Sequence, residues 1–295
     1  MAAMPTRIGE YDIERVLASG TMGDVFKGRK MDPQRKVPVY YAVKTLNPKA
    51  ARRLEWCGKF HSELKTVIKD EHLLEYKDIS QDSAYDYFFV ADYLECKPAS
   101  RQSLRRERSH EILDCFIKIA NALDKAHKKG YVHGNIKPSN VIVRRGEGGR
   151  AQAILSDMGL TYIYDAAGFT GEKFQSVVPY MSPERVQELT ANVEAKNSKL
   201  KPTADTYSLA AVLVEALSGA KPFGGCANLE ELDQAKQSKK YLLLHVNYPV
   251  RHVSIQKLND VVKKALSYEA GSRYGSAAEL ASALEACKVA EEKKA

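Results

Sequence analysis

The sequence predicts an α+β fold, with an antiparallel sheet and one helix in the N-terminal third and a mostly helical remainder. Three observations carry that expectation. Apolar strand-like segments flank a glycine-bearing turn between Tyr11 and Phe26. Tyr87-Phe88-Phe89-Val90-Ala91 is a nearly continuous apolar and aromatic run, the pattern of a buried strand. From Ser109 onward, Ile112, Phe116, Ile119, Ala120 and Leu123 recur at helical spacing on one apolar face.

Composition narrows the class. A chain of 295 residues, 44% hydrophobic and 28% charged, can bury a sizeable core without staples. The longest apolar stretch, Leu209 to Leu217, contains Glu215 and is too short to cross a bilayer, so no membrane-spanning segment is expected. No apolar leader follows Arg7, so no signal peptide is expected. The five cysteines are widely spaced and form no C-x-x-C pair, which argues against a disulfide framework or zinc site and for a reducing, cytoplasmic compartment. The net charge of +8 reads as solvated basic faces or as attraction to an acidic partner. Without aromatic interleaving, no nucleic-acid partner is expected.

Taken in order, residues 1–7 read as a loose terminus. Ala18-Ser19-Gly20-Thr21-Met22-Gly23-Asp24-Val25-Phe26 reads either as a plain hairpin or as a turn whose backbone N–H groups approach a phosphate. Residues 30–38 are polar and proline-bearing, a hairpin loop. Val39-Tyr40-Tyr41-Ala42-Val43-Lys44 is a strand ending in a lysine. Phe60, Leu64, Val67 and Ile68 have helical spacing and place Glu63 on a helix. Residues 72–94 read as strands. His127, near the end of the helix that starts at Ser109, reads as a helix C-terminal cation, and Gly130 ends that helix. Residues 144–150 form a turn between two strands. The remainder reads as helical, and Gly219 followed by Pro222 stops the helix that runs from near Ala204.

The stretch Tyr131-Val132-His133-Gly134-Asn135-Ile136-Lys137-Pro138-Ser139-Asn140 resembles the catalytic loop of the protein kinase family, H-R-D-x-K-x-x-N. His133, Lys137, Pro138 and Asn140 match. Asn135 stands where the family has its catalytic aspartate, and Gly134 replaces the arginine. Further motifs follow in the family's order. Gly20, Gly23 and Val25 match the Gly-rich loop, with Ala18 at its first glycine. Tyr41-Ala42-Val43-Lys44 resembles V-A-I-K, and Asp157-Met158-Gly159 resembles D-F-G. Pro179-Tyr180-Met181-Ser182-Pro183-Glu184 resembles the end of an activation segment. The resemblance is to Ser/Thr-type, bacterial-style kinases.

The resemblance implies a bilobal protein kinase-like fold, with residues 1–94 as N-lobe and 95–295 as C-lobe. It implies ATP and Mg²⁺ as cofactors. Lys44 would pair with the phosphates, oriented by Glu63 or, failing that, Glu55. Val25, Ala42 and Ile142 would sandwich adenine, and Asp92-Tyr93-Leu94 would be the hinge behind the small gatekeeper Ala91. Asn140 and Asp157 would hold the metal, since a hard cation takes oxygen ligands. Lys137 would approach the γ-phosphate. Asp205 would hold the catalytic-loop backbone, and Arg273 would pair with Glu184. The family's activation-segment threonine falls at Val177.

Two departures, Asn135 and Val177, would meet at the acceptor site. An amide cannot take a proton near neutral pH, and general-base catalysis typically contributes about 10²–10⁴-fold. The expected function is therefore a protein that binds Mg·ATP with phosphotransfer lost or strongly impaired, a pseudokinase scaffold or allosteric switch with a protein partner or substrate. The alternatives are a working Ser/Thr protein kinase, slow or trapped by an aspartate-to-asparagine change, and a binding module that has also lost nucleotide.

Overall fold

The computed structural model describes residues 4–20, 23–46, 69–81, 87–99, 104, 109–158, 175–191, 200–239 and 252–289. They fall into two compact units. The first holds residues up to Lys69 together with Leu74–Glu95; the second holds Asp70–Leu73 and the described residues from Cys96 onward.

The described residues of the first unit form one antiparallel sheet. Its strands are β1 (Arg7–Ile8), β2 (Tyr11–Ser19), β3 (Asp24–Met31), β4 (Pro38–Thr45), β5 (Tyr76–Ser80) and β6 (Phe88–Asp92), in the spatial order β1-β2-β3-β4-β6-β5. Alternation sorts the two faces. Ile8, Tyr11, Phe26, Val43, Phe88 and Val90 pack as one buried cluster, with Ile13 and Tyr41 against it. Their neighbours in sequence, Val25, Ala42, Lys44 and Ala91, therefore share the opposite face. Register agrees: Val25 lies across from Lys44, and Ala42 from Ala91. The turn between β3 and β4 closes on Asp32, whose Oδ1 accepts the N–H groups of Gln34 and Arg35 at 2.8 Å each.

The second unit is mainly helical. Among the described residues its helices are α1 (Ser109–His127), α2 (Pro183–Thr190), α3 (Pro202–Ser218), α4 (Leu229–Gln237), α5 (Ile255–Ala265) and α6 (Ala277–Glu285). A small antiparallel sheet joins β7 (Cys96–Pro98), β8 (Val141–Arg145) and β9 (Ala151–Leu155). Helix α3 is buried from Ala204 to Val214 without a break, polar Asp205, Thr206 and Ser208 included, and it stops at Gly219, whose N–H donates to the Glu215 carbonyl. A helix buried on every side suits a centre around which others pack. Helix α1 packs against α6, α3 and β9, burying the face predicted from its spacing. No helix among the described residues is long and apolar enough to cross a membrane.

Candidate active site

The candidate loop of the second unit is built on a buried polar network. His133 is fully buried. Its Nδ1 takes the N–H of Asn135 at 3.2 Å, so Nε2 carries the proton and donates to the Ser156 carbonyl at 2.8 Å. That is the neutral tautomer. Burial agrees, pushing the imidazole below its usual value against the pull of Asp205. Asp205, also fully buried, accepts three hydrogen bonds. Oδ2 takes the His133 N–H at 2.7 Å and His127 Nε2 at 2.7 Å; Oδ1 takes the Gly134 N–H at 2.7 Å. To aim two successive N–H groups at one carboxylate, Gly134 turns to φ +68°, a region glycine enters without a Cβ penalty.

His127 stands in the last turn of α1, where its place in the sequence puts it, and its side chain is buried there. Its side chain is 5% exposed and is a partner of Asp205. The two residues are 78 apart in sequence, so local pattern carries no sign of the pair.

Asn135 sits 4% exposed at the centre of this loop. Its backbone is held at both ends, the N–H on His133 and the carbonyl by Asn140 Nδ2 at 2.9 Å. Its own amide Nδ2 is buried and has no hydrogen-bond partner among the described residues. Asn140 is fixed in turn. Its N–H donates to the Lys137 carbonyl at 2.9 Å, and its carbonyl accepts the Ser156 N–H at 2.8 Å. With Nδ2 committed to Asn135, Oδ1 is turned elsewhere and meets the Ser139 hydroxyl at 3.5 Å. Lys137 is half-buried.

The β8–β9 ladder brings the two oxygen-bearing metal candidates together. Val141 pairs with Leu155, so Asn140 and Asp157 stand at the same end of adjacent strands. Asp157 is buried and holds φ +65°, a conformation that needs support from its surroundings. Met158 behind it is buried. Ile142 is half-buried across from Ile154.

In the first unit, Val25, Ala42 and Lys44 share one sheet face and are each half-buried. Gly23 packs against the β4 end so closely that a Cβ would lie 2.0 Å from the Thr45 carbonyl oxygen. The Gly20 N–H donates to the Gly23 carbonyl at 3.0 Å, closing the turn on itself. Ala91 is buried; Asp92 is exposed and paired with Lys77 at 2.7 Å; Leu94 is half-buried. Glu63 and Glu55 lie outside the described residues.

Around the second unit's loop, Arg273 grips Glu184 with a two-pronged pair, NH1 to Oε1 at 2.9 Å and NH2 to Oε2 at 2.8 Å. Val177 is buried and brings no hydroxyl. Tyr180 donates to Glu215, and burial together with that carboxylate raises its phenol. One residue that the motif reading did not reach is Lys236 on α4, fully buried beside Pro179.

A sheet carrying a glycine turn and a strand-end lysine, and a helical unit carrying the His–Asn–Asp network, define a protein kinase-like chain. Residues 11–285 match the protein kinase domain family, and the chain belongs to it. Curated relatives are serine/threonine-protein kinases. A probable one from Clostridium perfringens is 26% identical over 94% of this chain and 38% of its own length. PkaB of Streptomyces coelicolor is 30% identical over 75% of this chain and 52% of its own. PknA of Mycobacterium tuberculosis is 27% identical over 75% of this chain and 49% of its own. The chain thus spans about half or less of the relatives it matches. Among solved structures, the Mycobacterium tuberculosis PknI kinase domain superposes with a TM-score of 0.64 at 22% identity, covering 96% of this chain and 99% of that one. The fold is therefore the bilobal α+β kinase fold.

Proposed function

We propose that this chain is a Ser/Thr-type kinase domain, residues 1–94 its N-lobe and 95–295 its C-lobe, that binds Mg·ATP and transfers phosphate poorly or not at all. It acts as a scaffold or allosteric switch for a protein partner in a reducing compartment. The observation that carries this is Asn135. The backbone around it is tied on both sides, as a working loop requires, yet the side chain is an amide and not a carboxylate. Phosphoryl transfer depends mostly on positioning and charge neutralisation, and the positioning residues Lys44, Lys137, Asn140, Asp157 and Asp205 are retained. Loss of the proton acceptor alone removes about 10²–10⁴-fold.

The donor set fits magnesium. Asn140 Oδ1 and the Asp157 carboxylate are hard oxygen ligands at one strand end, and such sites take one or two protein ligands completed by phosphate and water. Bound there, the ion would neutralise phosphate charge. Lys44, Glu63 and Lys137 would orient the phosphates, Gly20 and Gly23 would cover them, and Val25, Ala42 and Ile142 would enclose adenine against the Asp92–Leu94 hinge.

The test pairs thermal shift with radiolabelled transfer. ATP with Mg²⁺ is expected to raise Tm, with no measurable autophosphorylation from the protein or from Asn135→Asp. A rise of about 10²-fold or more in Asn135→Asp would instead make the chain a working kinase silenced at one position. No shift with Mg·ATP would leave a binding module without nucleotide.

A further inference from the structure

Lysine is almost never fully buried without a paired carboxylate. Lys236 on α4 is 1% exposed, and among the described residues no carboxylate lies within ion-pair distance of it. Its Nζ donates to two oxygens, the Pro179 carbonyl at 3.0 Å and the Tyr207 hydroxyl at 3.1 Å. The rest of its surroundings are ring faces, with Phe223 at 4.1 Å and Tyr207 at 4.9 Å from Nζ to centroid. The Arg273 guanidinium lies 4.9 Å from the same Tyr207 ring, and Cys226, Asp233 and Glu184 are the other titratable groups that face the amine.

Pro179 occupies the middle of a short 3-10 turn, Val178–Tyr180, closed by the Met181 N–H on the Val178 carbonyl. The Pro179 carbonyl has no partner within that turn; Lys236 supplies it from 57 residues away. Other ties converge on the same stretch. Lys221 donates to the Gln175 carbonyl at 3.1 Å, Gln175 to the Cys226 carbonyl at 2.6 Å, and Tyr180 to Glu215.

We propose that Lys236 is a positioning residue: it sets the backbone of Val178–Met181, so that α4 controls how this segment is presented to a protein partner. The proposal rests on the reading of Pro179–Glu184 as the end of an activation segment in a domain with a protein partner or substrate. Removing the amine leaves a buried carbonyl unmet, which frees the turn to rearrange. Burial also pushes the amine well below the ordinary 10.5 of lysine.

The experiment is amide hydrogen exchange on the whole chain, comparing the native protein with Lys236→Met and Lys236→Gln. In Lys236→Met, exchange across residues 176–182 is expected to accelerate by about tenfold or more with α3 unchanged, and Lys236→Gln, which keeps a donor, is expected to recover part of it. A pH profile separates this from loss of packing. The folded chain binds a proton on Lys236 less readily than the unfolded chain does, so native stability relative to Lys236→Met rises with pH up to the ordinary lysine value of about 10.5. Unchanged exchange at 176–182, or acceleration spread equally over the second unit, would overturn the proposal. Should Lys236→Met not fold, Tyr207→Phe removes one acceptor more gently; acceleration of about twofold or more at 176–182 supports the role, and none rejects it. A degenerate serine/threonine peptide library tests the underlying reading separately. The native chain retaining peptides that Lys236→Met releases, with an equal Mg·ATP thermal shift, joins the two. If the native chain retains none, the docking reading falls while the exchange data still decide on Lys236.

Discussion

The two units hold their motif residues in opposite ways. In the second unit His133, Asn135, Asn140 and Asp205 are buried and bonded to one another or to backbone. In the first, Val25, Ala42 and Lys44 share one half-buried sheet face, set there by strand register. The difference separates two kinds of conserved-looking chemistry. A buried polar network is part of what makes the unit fold, because each group left unmet in the interior costs about 1–3 kcal/mol. A side chain on a half-buried sheet face can change with little harm to folding, so its identity answers to a ligand.

The sharpest way to break this comparison is Asp205→Ala. Three donors, two of them backbone, would lose their acceptor. The expected loss is roughly 3–5 kcal/mol in urea unfolding of the second unit. A loss below about 1 kcal/mol would mean that the network is not structural. In the first unit, Ala42→Ser or Lys44→Met should leave unfolding within about 0.5–1 kcal/mol of the native chain while weakening the Mg·ATP thermal shift.

Gly23→Ala gives an intermediate effect, from sterics rather than hydrogen bonding. The added methyl meets the Thr45 carbonyl oxygen at 2.0 Å, so the turn must move. We expect a local loss of about 2 kcal/mol in exchange protection of β3 and β4, with α1 and α3 unaffected. Equal loss in both units would show that they unfold as one.

The gentlest probe is pH. His133 is neutral when folded, with its affinity for protons lowered by burial. The unfolded chain therefore binds the proton first as pH falls through 6.5, and stability is lost below that point until the folded imidazole also titrates. Urea unfolding between about pH 7 and about pH 5 should show a steeper decline in the native protein than in His133→Gln. Parallel declines would place the titrating group elsewhere.

Much of the architecture was legible in the chain. The strand segments flanking the glycine turn, the spacing of α1 and the Gly219 stop needed no tertiary information, because each reflects local sterics and one-sided burial. The motif order was legible for the same reason that motifs exist, since fixed offsets place side chains on one loop. The partner of His127 was not legible, because it is 78 residues away and no local pattern reports a buried carboxylate opposite a helix end. Lys236 was passed over on the same ground: a lysine in a polar helix reads as solvent-facing, and only packing can enclose it.

By itself, then, the sequence determined the family, the strand and helix order, and the amide at position 135. Those are properties of residue identity and short-range spacing. Tertiary structure alone decided which polar groups are buried and what they meet: the neutral His133 tautomer, the His127 donor on Asp205, and the amine beside Pro179. Those depend on contacts between residues far apart in the chain, where burial sets the strength of every hydrogen bond and charge.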